Sequence, residues 1–154
     1  MGNALIGGWQ LGGILTLQTG FPITVTNGLD TSNTGAFFDR PDWNGQDPSL
    51  PRGQQDPQRF FNTKVYSFAL AGTHGNAGRN TLTSPGIIQM DFSMHKDFMF
   101  NDRHKLQFRF EAFNFLNHPN WGDPDTYLLD GTFGQISYTR TSMRQLQLSL
   151  KLVF

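Results

Sequence analysis

The chain has 154 residues, of which only 16% are charged, and its 12 Lys and Arg balance its 12 Asp and Glu. This length suits one domain, and the zero net charge excludes a nucleic-acid binder that relies on bulk electrostatic attraction. The absence of cysteine excludes disulfides, thiolate metal sites and cysteine nucleophiles. No apolar run is long enough for a transmembrane helix, but membrane barrels, whose strands alternate, are not excluded by this.

The first predicted element is a strand over residues 5–19. Trp9, Leu11 and Leu15 share one face of this segment, whereas Gln10 and Thr16 share the other. A period of two over this length predicts a strand. The first residues have neither a basic region nor an apolar run, so we expect no signal peptide there.

Two segments without any period predict long loops. Residues 20–86 hold most of the prolines and many Asn, Asp and Gly residues, and residues 118–142 have the same character. Connections inside compact domains are usually about 4–6 residues long. Connections this long therefore indicate a fold whose main elements are joined by long loops.

Three further strands are predicted over residues 87–100, 105–117 and 143–154. Each alternates apolar and polar side chains, and the last has leucine at every second position up to Leu152. A tight polar turn at residues 101–104 joins the first two of these strands into a hairpin.

The four strands predict an all-β fold, an antiparallel meander that forms part of an outer-membrane β-barrel. The strands exceed the usual length of about 5–6 residues and reach the roughly 9–11 that a tilted membrane-spanning strand needs. Short and long connections alternate, as periplasmic turns and extracellular loops do in such barrels. Aromatic residues near the strand ends predict an interfacial girdle, namely Trp9, Phe98, Phe100, Phe115 and Phe154. Alternation alone also fits a soluble antiparallel sheet.

The polar faces of the strands would line the lumen of such a barrel. We expect Asp91, His95, Arg109 and Glu111 to point into it, with an ion pair among Asp91, Arg109 and Glu111 across the hairpin. Charged side chains tolerate the interior of a strand there because they meet water.

No pattern indicates catalysis or a bound cofactor. The four histidines lack metal-ligand spacing, and the glycines of residues 72–80 lack the helix that a phosphate loop needs. Asp30 begins a fragment of a calcium-loop pattern, but the terminal Glu is missing, so turn residues are favoured. We predict no catalytic residue, no metal and no cofactor, and hence no enzyme.

Several segments resemble the late barrel of TonB-dependent outer-membrane receptors of the Oar-like group, whose chains carry a carboxypeptidase-regulatory-like domain. The matching segments are Leu17-Gln-Thr-Gly-Phe-Pro-Ile-Thr-Val25, Gly75-Asn-Ala-Gly-Arg-Asn80, Asp91-Phe-Ser-Met-His-Lys96 and Phe108-Arg-Phe-Glu-Ala-Phe-Asn-Phe-Leu-Asn-His-Pro-Asn120. The resemblance covers almost the whole chain. The end of the chain is similar to the barrel-assembly signal at Gln147, Leu152 and Phe154, although Ser149 stands where glycine is usual.

The resemblance implies that residues 1–154 are the C-terminal segment of a receptor barrel in the cell outer membrane. The segment would contribute wall strands, an extracellular loop and the assembly signal to the energised uptake of a large nutrient. Its partners would be the outer-membrane bilayer, the barrel-assembly machinery and, through an N-terminal part outside this sequence, TonB; nucleic acid is not among them.

An alternative from another class is a soluble all-β module that binds a carbohydrate or a peptide. Its binding surface would be the long loop, which carries Phe37, Phe38, Trp43, Phe60 and Phe61.

Overall fold

A computed structural model describes residues 7–101 and 103–154. The described residues divide into two compact units, which we call the sheet unit (7–18, 87–101, 103–120 and 141–154) and the loop unit (19–86 and 121–140). In chain order the strands are β1 (Trp9–Gln18), β2 (Pro22–Ile23), β3 (Asp42–Trp43), β4 (Tyr66–Ser67), β5 (Leu82–Thr83), β6 (Ile87–Met99), β7 (Lys105–Phe113) and β8 (Gln145–Val153). None of the described residues belongs to a helix long and apolar enough to cross a membrane.

The sheet unit is one antiparallel sheet whose four strands follow chain order, β1-β6-β7-β8. Its register places Gly13, Phe92, Ala112 and Leu146 in one row across the sheet. Within the described ranges β1 and β8 are the two edges, so the sheet is open. The predicted all-β fold with four long antiparallel strands is confirmed.

The third long strand is shorter than the predicted range 105–117, because β7 ends at Phe113. Asn114 and Asn117 have positive φ angles of 48° and 51°. Asparagine tolerates this left-handed region because its short side chain bonds nearby backbone groups. The apolar residues after Phe113 therefore belong to a turn. The predicted strand is wrong beyond Phe113, because apolar residues there resemble the pattern of a strand.

The other strand ends differ from the predicted ranges by a few residues. β1 begins at Trp9, after Gly8 with φ 77°, and predicted residues 5 and 6 lie outside the described part of the chain. β6 ends at Met99, where 100 was predicted, and β8 is shorter than 143–154 at both ends. At the tight turn, Asn101 Oδ1 accepts hydrogen bonds from the backbone N–H groups of Arg103 and His104 at 3.0 and 2.8 Å.

The loop unit has a hydrophobic core of its own, although its sequence shows no period. Two small sheets, β2-β5 and β3-β4, and two 3-10 turns, Arg52–Gln54 and Thr63–Val65, brace it. The buried core consists of Val25, Phe60, Phe61, Val65, Tyr66, Ala77, Leu82 and Ile136. These residues are far apart in sequence, so no periodic pattern predicts that they form a core.

Candidate functional site

One face of the sheet unit is apolar and largely uncovered. The register brings the alternate apolar side chains of all four strands to this face. On the edge strands these side chains are open to the surroundings, as at Leu15, which is 59% exposed, and Leu148, which is 69% exposed. A continuous apolar face of this size on a soluble monomer would be unusual, and it requires an apolar environment or partner.

Lys96 is the one charged residue on the apolar face among the described residues, and it is buried. Its side chain lies beneath an aromatic cage, with Nζ 4.9 Å from the ring centres of both Trp9 and Phe98. Nζ also donates a hydrogen bond to the carbonyl oxygen of Gly7 at 2.7 Å. The cage shields the ammonium group on an otherwise apolar surface. The sequence indicates Lys96 only as an interruption of the pattern.

The opposite, polar face carries a cluster around Asp97 near the tight turn. His95 Nε2 lies 2.9 Å from Asp97 Oδ1, and Lys105 Nζ lies 3.1 Å from Oδ2. Gln107 Nε2 donates to the same carboxylate at 3.2 Å. The cluster joins β6 to β7, and the negative charge of Asp97 is compensated by its neighbours.

The predicted ion pair across the hairpin is only partly present. Arg109 Nη1 and Glu111 Oε1 are 3.8 Å apart, but both belong to β7. Asp91 instead accepts hydrogen bonds from the backbone N–H of Asn114 at 2.9 Å and from Gln89 Nε2 at 3.1 Å. The expectation that Asp91 pairs with Arg109 is therefore wrong, because the register places Arg109 opposite His95, four positions along β6 from Asp91. Asp91, His95, Arg109 and Glu111 occupy alternate positions on the polar face.

An asparagine network closes the end of the sheet opposite the tight turn. Asn114 Nδ2 donates to the carbonyl oxygens of His118 and Ser142 at 3.0 and 3.1 Å, and its Oδ1 accepts from the His118 N–H. Asn120 Oδ1 accepts from the N–H of Ile88, and its Nδ2 donates to Thr141 at 2.9 Å. Three segments of the chain are thereby joined. The asparagines of residues 114–120 were not identified as a structural group from the sequence, although asparagine is the usual signal for such turns.

The predicted girdle residues lie at both ends of the sheet. Trp9, Phe98, Phe100 and Phe154 belong to the end that carries the tight turn, and the ring centres of Trp9 and Phe98 are 6.4 Å apart. Phe115 lies at the other end, where its ring centre is 5.6 Å from that of Phe92.

The residues of the predicted assembly signal lie on the edge strand β8 and just beyond it. Gln147 is on the polar face opposite Glu111, and Leu152 is on the apolar face opposite Leu106. Phe154 follows the last residue of β8 and is exposed.

The aromatic residues proposed for a binding loop fall into two groups. Phe60 and Phe61 are buried in the core of the loop unit, where the Phe61 ring packs 5.2 Å from Phe133, and Trp43 packs against the same core. Phe60 and Phe61 are therefore not available to a ligand, which corrects that part of the alternative, and Trp43 is partly buried. Phe37 and Phe38 remain exposed.

Asp30 and Asp39 use their carboxylates to build the loop that carries the calcium-like pattern. Asp30 accepts hydrogen bonds from the N–H groups of Thr34 and Gly35 at 3.0 and 2.8 Å. Asp39 accepts from the Ser32 N–H at 2.7 Å, and His74 Nδ1 lies 3.4 Å from its other oxygen. The Ser32 N–H is the main cause of a lowered pKa at Asp39, with smaller contributions from hydroxyl groups and His74. These carboxylates thus serve as turn anchors.

The glycines of residues 72–80 shape the loop unit. Gly72 has φ 80°, and a Cβ at Gly75 would collide with the carbonyl oxygens of Arg40 and Pro41. Close backbone approach accounts for Gly75, and the described residues form no helix after it. No cluster of three or more potential metal ligands occurs among the described residues.

Comparison with known proteins gives one match. A family model described as an outer membrane beta barrel domain matches residues 1–147. Searches of curated proteins and of solved structures give no match.

Proposed function

Because the chain belongs to the outer membrane beta barrel domain family and resides in the outer membrane, we propose that it forms part of the barrel wall of a TonB-dependent receptor of the Oar-like group. Such a receptor takes up a nutrient too large for porins, with energy supplied through TonB. In this proposal the segment contributes four wall strands, an outer loop and the assembly signal of the barrel.

The observation that supports this most directly is the difference between the two faces of the sheet. The apolar face, exposed at Leu15 and Leu148, suits contact with lipid, whereas the polar face carries Asp97, Lys105 and other charged groups that need water. A wall between lipid and an aqueous lumen meets both requirements. The open edges of β1 and β8 are then completed by neighbouring strands of the same barrel.

The TonB-dependent and Oar-like assignment depends on the motifs quoted above. The longest of them, residues 108–120, includes the asparagine network that closes one end of the sheet. Residues 19–86 connect β1 to β6 and residues 114–144 connect β7 to β8, whereas the tight turn connects β6 to β7. In the proposed orientation the tight turn is periplasmic and the two long connections are extracellular.

The proposed partners are the lipid bilayer, the barrel-assembly machinery and TonB. The assembly machinery would recognise β8 with Gln147, Leu152 and Phe154, and TonB would contact a part of the receptor outside this sequence. We assign no catalytic role to the chain. The alternative of a soluble binding module is rejected, because the family is one of the outer membrane.

The proposal is tested in native outer membranes with an antibody against residues 144–154. We expect one large band that migrates differently before and after boiling, as closed barrels do. Chemical cross-linking of the same membranes should then give a product recognised by this antibody and by an antibody against TonB.

An established TonB-dependent receptor in the same cells serves as the control for cross-linking. If that receptor cross-links to TonB and this one does not, the TonB-dependent function is wrong although the barrel stands. A soluble band at 17.4 kDa would contradict both.

A further inference from the structure

The polar face of the sheet unit contains an open depression of about 300 Å³. It is lined by Gln10, Leu11, Gly12, Ser93, His95, Arg109 and Glu111. The missing side chain of Gly12 leaves room beside Ser93, because a Cβ at residue 12 would lie 2.8 Å from the Ser93 hydroxyl oxygen. The volume is at the small end of the range for ligand sites, which is enough for part of a larger ligand.

Two neighbouring rows of residues cross the sheet at the level of the depression. One row is Gly12, Ser93, Glu111 and Gln147, and the other is Gln10, His95, Arg109 and Ser149. Adjacent members of a row lie on strands about 4.8 Å apart. We call these eight residues the polar strip. It offers hydroxyl, amide, imidazole, guanidinium and carboxylate groups, and it contains no apolar side chain.

Arg109 and Glu111 are the oppositely charged members of the polar strip, and both side chains have free hydrogen-bonding capacity. Their closest approach, 3.8 Å, is too long for a hydrogen bond, and neither side chain bonds another group in the described part of the chain. The strip therefore presents the planar guanidinium group of Arg109, which donates, beside the carboxylate oxygens of Glu111, which accept. His95 differs, since its two ring nitrogens face Asp97 and Gln10.

We propose that the polar strip binds an uncharged, polyhydroxylated ligand, a saccharide, as it passes along the barrel wall. Each hydroxyl group both donates and accepts, so neighbouring hydroxyls satisfy Arg109 and Glu111 together. The charges of the strip cancel, which gives no preference for an anion or a cation. This inference deepens the proposed function, on which it rests, by naming its substrate class.

Other ligand classes fit the polar strip less well. An anion would be attracted by Arg109 but repelled by Glu111. A cation would be attracted by Glu111 but repelled by Arg109. A peptide would bring apolar side chains, and the eight residues of the strip offer them no apolar side chain, because Leu11 belongs by its register to the apolar face. The ring-sized spacing between strands suits a chain of sugar rings, with each ring facing one or two of these residues.

The test is binding of defined oligosaccharides to the purified full-length receptor in detergent. Maltohexaose, cellohexaose and xylohexaose are titrated by calorimetry, with citrate and a serine–alanine hexapeptide as comparators. We expect at least one hexasaccharide to bind, and Arg109→Gln and Glu111→Gln each to weaken it by about tenfold to a hundredfold. Lys151→Gln, a matched loss of charge on the polar face outside the strip, should change the affinity by less than about twofold.

None of these three side chains makes a hydrogen bond among the described residues, so the variants should fold, which the heat-dependent mobility shift verifies. Binding of citrate or the peptide with no hexasaccharide bound overturns the inference. So does saccharide binding that Arg109→Gln and Glu111→Gln leave unchanged, or that Lys151→Gln weakens equally. Cross-linking to TonB is measured on the same receptor, so failure of this inference is separate from failure of the proposed function.

Discussion

Asn114 combines a backbone role and a side-chain role at the end of β7. Its positive φ of 48° turns the chain away from the sheet, and its buried side chain bonds His118 and Ser142. Its own N–H donates a hydrogen bond to the carboxylate of Asp91 on the neighbouring strand. One residue thus ends the strand and fixes the segments on either side of it.

We expect Asn114→Ala to lower the stability of the folded barrel by about 2–4 kcal/mol, because it leaves buried carbonyl groups without donors and strains a positive φ. The measurement is the temperature at which the unboiled, compact band is lost. Asn114→Gly is the control, since it removes the side-chain bonds but tolerates the φ angle. It should cost less than the alanine variant; an equal cost would show that the backbone conformation contributes nothing.

At the scale of elements, the long strands and the loop unit differ in how far the sequence predicts them. The alternation of β6 and β8 fixes which side chains share a face, because a strand has a period of two regardless of its partners. The core of the loop unit joins Val25, Phe61 and Ile136, which are far apart in sequence. Such contacts arise from tertiary packing, so no local pattern predicts them. The bond of Asn114 to Ser142 and the contact of Lys96 with Trp9 are likewise distant in sequence and have no local pattern.

Phe61→Ala should unfold the loop unit while the sheet unit remains folded, because Phe61 is 1% exposed and packs in the core of the loop unit. Removal of a buried phenylalanine costs about 3–5 kcal/mol. Trypsin should then cut after Lys64, which lies in the Thr63–Val65 turn, while the heat-dependent mobility shift persists. Phe37→Ala is the matched control, since Phe37 is 69% exposed. Resistance of the Phe61 variant to trypsin would argue against an independent core.

The loop around Asp39 should loosen in acid. The pKa of Asp39 is lowered in the folded protein, chiefly by the Ser32 N–H, so the ionised carboxylate stabilises the loop. This contribution is complete above the pKa of the unfolded chain, about 4, and is lost as the pH falls through the lower folded pKa. Hydrogen exchange of a peptide covering residues 27–41 should therefore show reduced protection below about pH 4. In the Asp39→Asn variant, protection of this peptide from exchange should be weaker at neutral pH and should not fall further in acid. A fall of the same size in that variant would exclude Asp39 as its origin.

At the scale of the whole molecule, the sheet separates two environments, and neighbouring positions on one strand should report them. Leu15 and Thr16 are adjacent in β1 but belong to opposite faces. A lysine on the lipid side of a barrel wall costs about 2–4 kcal/mol near the middle of the bilayer, whereas on the lumen side it meets water.

We therefore expect Leu15→Lys to lower the barrel's resistance to heat and to reduce the amount assembled in the outer membrane, and Thr16→Lys to have little effect. The compact band in unboiled samples measures both. Equal tolerance of the two substitutions would mean that the apolar face does not meet lipid.

The register of the sheet also determines how much bilayer it can cover. β1 pairs with β6 along Ile87–Lys96 and β7 pairs with it along Phe92–Met99, so successive strands are staggered and the strands must incline. At about 3.3 Å per residue and a tilt of about 45°, the 10 residues of β1 rise roughly 23 Å. That height matches the apolar band of an outer-membrane barrel, about 25 Å, and falls short of an average bilayer core of about 30 Å. The hydrophobic length of β1 thus fits a thin membrane better than a thick one, independently of any targeting signal.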